Sequence, residues 1–166
     1  MSRVVISDTS PLNYLILIGH AELLPALYTE LLIPETVADE LQQSATPESV
    51  RHWIAHAPPW LRIVPSSAPD INVSLADLDR GEHDAILLAL HLKADLVIMD
   101  EREGVEEARR LGLIVTGTLG VLDRAAERGL IDLTTVIAGL RQTSFRIDPA
   151  LLERLQNADR LRREKG

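Results

Sequence analysis

The chain has 166 residues, enough for one domain with a sizeable core, and its 46% hydrophobic content excludes a disordered chain. Aromatics make up only 3%, so the core must be aliphatic. The balance of 17 Lys and Arg against 25 Asp and Glu, net −8, argues against broad non-specific coating of nucleic acid. The absence of cysteine excludes a disulfide framework and fits a reducing compartment. No apolar run approaches the ~18 residues of a membrane span, and the N-terminus has no signal-peptide layout, so the expected location is cytoplasmic.

Val4 to Ser7 read as a short buried strand ending at Asp8. Ser10-Pro11 then start a helix, with Ser as cap and Pro at the first helical position; Leu12, Leu15, Ile16 and Ile18 make it largely apolar, and Gly19 ends it. Ala21 to Tyr28 is a second short helix, Leu31 to Ile33 a strand, Pro34 to Gln42 a helix, and Thr46-Pro47 to Ala57 another, stopped by Pro58-Pro59. Leu61 to Val64 is a strand and Pro65 to Ser74 a polar loop. The second half alternates more cleanly. It has a helix over Arg80 to Leu92, a strand over Leu96 to Met99, a helix over Glu101 to Leu111, a strand over Leu113 to Thr116 and a helix over Thr118 to Arg128. Gly112 and Gly129 close the last two helices. Helices near Thr134 to Gln142 and from Asp148-Pro149 to Arg163 complete the chain. This alternation implies an α/β fold with a mainly parallel sheet, read as one domain over 1–147 and a C-terminal helix over 148–166.

Four acids stand at telling places. Asp8 and Asp100 end apolar runs that read as buried parallel strands, where α/β proteins build their sites. Asp84 opens the apolar run Ala85 to Leu90, sharing a helix face with Leu87, Leu88 and His91. Glu40 lies in a short amphipathic helix, where an exposed Glu is ordinary. Carboxylates in apolar surroundings are costly unless something positive meets them, and a divalent cation is the simplest candidate. The structural alternative makes Asp8 or Ser10 a helix cap. Asp77 to Asp84 holds four acids in eight residues, but an EF-hand loop fails there: counted from Asp77, Gly81 falls at the wrong position and Leu88 stands where Glu is needed. Asp79 reads as a cap. Glu82 points away from Asp84 on a helix, so one of the pair is the direct ligand; Asp84 is favoured, leaving Glu82 to orient a water or a basic group. Glu101 and Glu103 have an alternative role, complementing the positive end of the next helix.

Phosphate-loop, dinucleotide and nucleophile-elbow motifs are absent. His52 and His56 have zinc-like spacing without further ligands. The basic C-terminal stretch Arg154 to Lys165 is interleaved with acids and reads as a solvated helix end.

In order and type these residues resemble the PIN-domain nucleases, and more closely the prokaryotic relatives of VapC-type toxins. The matching phrases are Val5-Ile6-Ser7-Asp8-Thr9-Ser10-Pro11-Leu12, Leu78-Asp79-Arg80-Gly81-Glu82-His83-Asp84-Ala85-Ile86 and Val97-Ile98-Met99-Asp100-Glu101-Arg102, with Gly117 to Leu122 also similar. The resemblance implies a three-layer PIN-like fold and a Mg²⁺- or Mn²⁺-dependent ribonuclease, often a toxin restrained by a small antitoxin. Asp8, Glu40, Asp84 and Asp100 would be its acidic quartet, and Ser10 the hydroxyl near the first acid. Asp8, Asp84 and Asp100 would hold metal, and Glu82 and Glu103 would stand behind them. The chain departs from the subgroup's Asp-Glu-Arg-x-Gly-Arg at Val105, where a basic residue is missing. That leaves a catalytically weak protein-binding module as the alternative. The apolar helices Leu12 to Ile18 and Ala21 to Tyr28 suggest a homodimer.

Overall fold

The computed structural model describes residues 3–65 and 78–166. Asp77 and the polar loop after Pro65 lie outside the described residues. The first half runs β1 (Val5–Ser7), α1 (Thr9–Leu17), α2 (Leu23–Tyr28), β2 (Leu31–Pro34), α3 (Glu35–Leu41), α4 (Glu48–Ala55) and β3 (Leu61–Val64). The second runs α5 (Arg80–Leu92), β4 (Leu96–Ile98), α6 (Arg102–Arg110), β5 (Val115–Thr116), α7 (Thr118–Glu127), α8 (Leu133–Leu140) and α9 (Pro149–Lys165).

The five strands form one sheet in the order β3-β2-β1-β4-β5, with every neighbouring pair parallel. The chain steps outward from β1 to β3, returns to the centre at β4, and steps outward again to β5. The reversal falls between β1 and β4, where Ser7 pairs with Ile98. A crevice opens beyond the carboxyl ends of strands at such a reversal. Asp8 and Asp100 are placed there by the strands that precede them.

Alternate strand residues face opposite sides of the sheet. Val5, Leu31, Ile33 and Ile98 join the larger core, with Leu12 and Leu15 of α1, Leu24 of α2 and Leu122 of α7. Ile6, Leu32, Val97 and Met99 join the other, covered by Ala85, Ile86 and Ala89 of α5 and Ala108 of α6. The result is three layers, helix on sheet on helix. The C-terminal α9 packs on α7 and α8, burying Leu152. Its buried Asp159 pairs with Arg162 (3.3 Å) and Arg163 (2.9 Å), and Arg162 reaches Asp123 of α7 (2.9 Å).

One local expectation changes. Helix α1 begins earlier than Ser10-Pro11 suggests: Asp8 is its N-cap residue, without a side-chain capping bond, and Pro11 sits at the third helical position. Proline is tolerated there because a first-turn N–H has no helical acceptor to lose. Leu12 and Leu15 of α1 and Leu23, Leu24 and Tyr28 of α2 are buried in the core, and Ile16, Leu17, Ile18 and Leu27 are partly buried against it. Among the described residues the large exposed hydrophobic side chains are Ile63, Leu92, Ile114, Leu130 and Leu161, none of them on α1 or α2. Among the described residues no helix is long and apolar enough to cross a membrane.

Candidate metal centre

Five acids gather at the carboxyl end of the sheet around a cleft of about 660 Å³ whose walls include Asp8, Glu40, Asp79, Glu82 and Glu101. Asp8 is the deepest. It follows β1, its N–H donates to Ile98 O (2.9 Å), and it is 3% exposed. Its Oδ1 is buried with no hydrogen-bond partner among the described residues. Removal from water disfavours the charged form, and Asp79, Glu82 and Glu40 add repulsion. The backbone N–H of Thr9 opposes these effects, and the carboxyl is still pushed up to about 8.

Glu40 projects from α3 and is held from two sides. Thr9 Oγ1 donates to its Oε2, and the Gly81 N–H donates to its Oε1 (3.0 Å). Gly81 has no side chain for a reason: a Cβ there would stand 2.5 Å from Glu40 Oε2. The glycine costs helix stability in the first turn of α5 and admits the carboxylate. Asp79 is the N-cap of α5, accepting from the Glu82 N–H (2.9 Å). Carboxylate oxygens of Asp8, Glu40 and Asp79 lie within 4.8 Å of one another, one from each residue.

Glu82 is 5% exposed and is also pushed up, to about 7, first by burial and then by Asp79 and Glu101. Gly104 of α6 lies against it; a Cβ at that position would be 3.4 Å from Glu82 Oε2 and 2.7 Å from Met99 Sδ. Asp100 stands just beyond Ser10, in a neighbouring cleft that Ser10 also lines. Its carboxylate accepts from Thr118 N–H (2.7 Å), Thr118 Oγ1 (2.7 Å) and Ser10 Oγ (3.2 Å). Burial raises its pKa, and those three donors lower it part of the way back.

The structure therefore brings Asp8 and Glu40 together, with Asp100 in the adjoining cleft beyond Ser10. It does not bring Asp84 in. Asp84 lines neither this cleft nor its neighbour, and its Oδ1 lies 2.9 Å from His83 Nδ1 on the outer side of α5. At the start of α5 the cleft is lined by Asp79 and Glu82 instead, because the buried face of that helix carries Glu82, Ala85, Ile86 and Ala89. Ser10 serves Asp100 rather than Asp8. Glu103 also departs from expectation: it is an exposed first-turn residue of α6 that lines neither cleft, whereas Glu101 lines both. The signal for Asp79 was its place beside Gly81. The signal for Glu82 was its spacing from Ala85, Ile86 and Ala89, which puts all four on one helix face.

All these donors are oxygens, which suits a hard divalent cation. Two carboxyls whose charged forms burial disfavours, and one buried oxygen without a partner among the described residues, are what such a cation would correct.

A family model described as a PIN domain matches residues 4–159, and the chain belongs to the PIN-domain family. Its members are generally metal-dependent nucleases, and the acidic cluster found here fits that class. A solved structure of a PilT N-terminus domain protein from the hyperthermophilic archaeon Sulfolobus solfataricus P2 is similar over 87% of this chain and 99% of that one, with 14% identity and a TM-score of 0.49. No curated protein matches the chain.

Proposed function

We propose that the protein is a Mg²⁺- or Mn²⁺-dependent ribonuclease that hydrolyses RNA phosphodiester bonds as the toxin of a toxin–antitoxin pair. The observation that carries this reading is the oxygen-only triad of Asp8, Glu40 and Asp79, in which Asp8 also has a buried Oδ1 without a partner among the described residues. These three would hold the cation, with Glu82 and Asp100 flanking it. When bound, the cation supplies positive charge against the phosphate oxygens and acidifies a water.

The chain's own part is positioning. Thr9 and the Gly81 N–H fix the two oxygens of Glu40; Ser10 and Thr118 fix Asp100; the Glu82 N–H fixes Asp79. Carboxylates held this way need little reorganisation as charge develops in the transition state. Glu82, poised near neutrality at the cleft wall, is suited to orienting the attacking water and taking its proton at a carboxylate oxygen.

Purified protein is expected to cut RNA with Mn²⁺ or Mg²⁺ and to stop when EDTA is added. Its expression should arrest growth unless the small antitoxin is supplied with it. Cleavage that continues undiminished in EDTA, in a preparation shown free of other nucleases, would contradict the metal-dependent reading. Growth unaffected by active enzyme would contradict the toxin reading alone.

A further inference from the structure

A second cleft, of about 540 Å³, opens on the far side of Ser10. It shares Ser10, Tyr14, Glu101 and Ser144 with the acidic cleft, so the two form one continuous groove across the carboxyl edge of the sheet. Its character is different. Arg109 of α6 and Arg146 of the loop between α8 and α9 line it, both exposed, and neither forms an ion pair or side-chain hydrogen bond among the described residues. The neighbours of Arg109 behave otherwise: Arg102 pairs with Glu106 (3.0 Å) and Arg110 with Glu107 (2.7 Å). Arg109 stands one turn beyond Val105 on the wall of the same cleft and brings to it the positive charge that Val105 does not.

The cleft also has an aromatic wall in a chain that has few aromatics. Its single Phe, Phe145, packs edge-on against Tyr14 with ring centroids 5.0 Å apart. Tyr14 Oη and Ser144 Oγ are 2.9 Å apart, which pins the same loop to α1. Both rings stay half-exposed. Three acids share the lining, and none pairs with either arginine among the described residues: Asp148 caps α9, accepting from the Ala150 N–H (3.0 Å) and the Leu151 N–H (3.4 Å), Asp100 is held by Thr118 and Ser10, and Glu101 faces both clefts.

We infer that this second cleft is the subsite for the nucleotides flanking the scissile phosphate of a single-stranded RNA, with Arg109 and Arg146 on the phosphates and the Tyr14–Phe145 pair against a base. The inference rests on the ribonuclease reading for the identity of the groove's substrate. Its chemistry stands by itself: guanidinium groups match phosphate oxygens, and aromatic faces accept any base. A base-paired duplex would keep its bases stacked away from such a wall, which favours a single strand.

The test compares wild type with Arg109→Ala, Arg146→Ala and Phe145→Leu. It uses steady-state cleavage of a short oligouridylate and fluorescence anisotropy with a labelled 2′-O-methyl oligouridylate. Thermal melts confirm that each variant folds. Each arginine variant should raise KM by about tenfold with kcat little changed, and should lower the slope of log affinity against log salt by about one. Phe145→Leu should weaken binding at an unchanged salt slope. Wild-type cleavage combined with unaltered KM and salt slope in all three variants overturns the subsite and leaves the nuclease intact. The same holds if the variants lose only a copurifying protein partner. Absent cleavage, with probe binding that still depends on Arg109 and Arg146, overturns the hydrolytic reading and keeps the subsite.

Discussion

Asp8→Asn is expected to lower metal-dependent RNA cleavage by about 10²–10³-fold, the loss typical of removing one preorganised electrostatic group from a catalytic site. Asp8 is the only member of the oxygen triad that is fully buried, and its Oδ1 has no other partner among the described residues. Asparagine keeps the shape and removes the charge, so the far-ultraviolet circular dichroism should match wild type. Asp84→Asn makes the contrast. Its carboxylate sits beside His83 on the outer side of α5, and its loss should leave cleavage close to wild type. Glu82→Gln, two residues away, should fall with Asp8→Asn. Cleavage abolished by Asp84→Asn and untouched by Glu82→Gln would return the α5 ligand to Asp84.

The metal-free protein should lose stability as pH rises from mildly acidic to mildly alkaline, which is opposite to the usual behaviour of paired carboxylates. The folded-state pKa of Asp8 lies near 8 against 3.8 for the free group, and that of Glu82 near 7 against 4.5. Between those limits the folded chain holds protons that the unfolded chain releases. Their stabilising contribution is complete below the unfolded pKa values and is lost as pH rises through the folded ones. Each tenfold difference in proton affinity between the folded and unfolded chain corresponds to about 1.4 kcal/mol, so even part of these two shifts makes the loss readable as a falling Tm. A divalent cation should restore that stability at the alkaline end by binding the deprotonated folded state, and should do less at the acidic end, where protons compete for the same oxygens. Thermal unfolding in EDTA and in Mn²⁺ across this range checks both. Asp8→Asn should melt higher than wild type in EDTA at the alkaline end and respond little to Mn²⁺. A metal-free wild type whose Tm stays flat or climbs over the same range would contradict the buried-acid account.

The strand-end acids were legible because an apolar run fixes where a strand stops, and in a parallel sheet the stop is where the crevice opens. Asp8 and Asp100 needed only Val4 to Ser7 and Leu96 to Met99 to be placed. The choice between Glu82 and Asp84 required the rotation of α5 about its axis, and that helix is apolar nearly all round. Leu87 and Leu88 are the larger side chains and pointed to the Asp84 face. The sheet instead took the face of Ala85, Ile86 and Ala89, whose small residues let the helix approach closely, and Glu82 went in with them. Ser10-Pro11 misplaced the start of α1 because proline fits any first-turn position and the pair carries no register by itself. Glu40 was weak in sequence because its two donors, Thr9 and Gly81, come from segments 31 and 41 residues away. The second cleft was not visible in the chain for the same reason: Tyr14, Arg109 and Phe145 are brought together only by the packing of α1, α6 and the loop before α9.

The central claim is that Asp8, Glu40 and Asp79 form a divalent-cation site, and calorimetric titration of Mn²⁺ into EDTA-stripped protein near neutral pH tests it most directly. Wild type and Asp84→Asn should bind Mn²⁺ with release of protons, seen as a dependence of the heat on the buffer's ionisation enthalpy, and Asp8→Asn should show greatly weakened binding without that dependence. Equal Mn²⁺ affinity in wild type and Asp8→Asn would contradict the account.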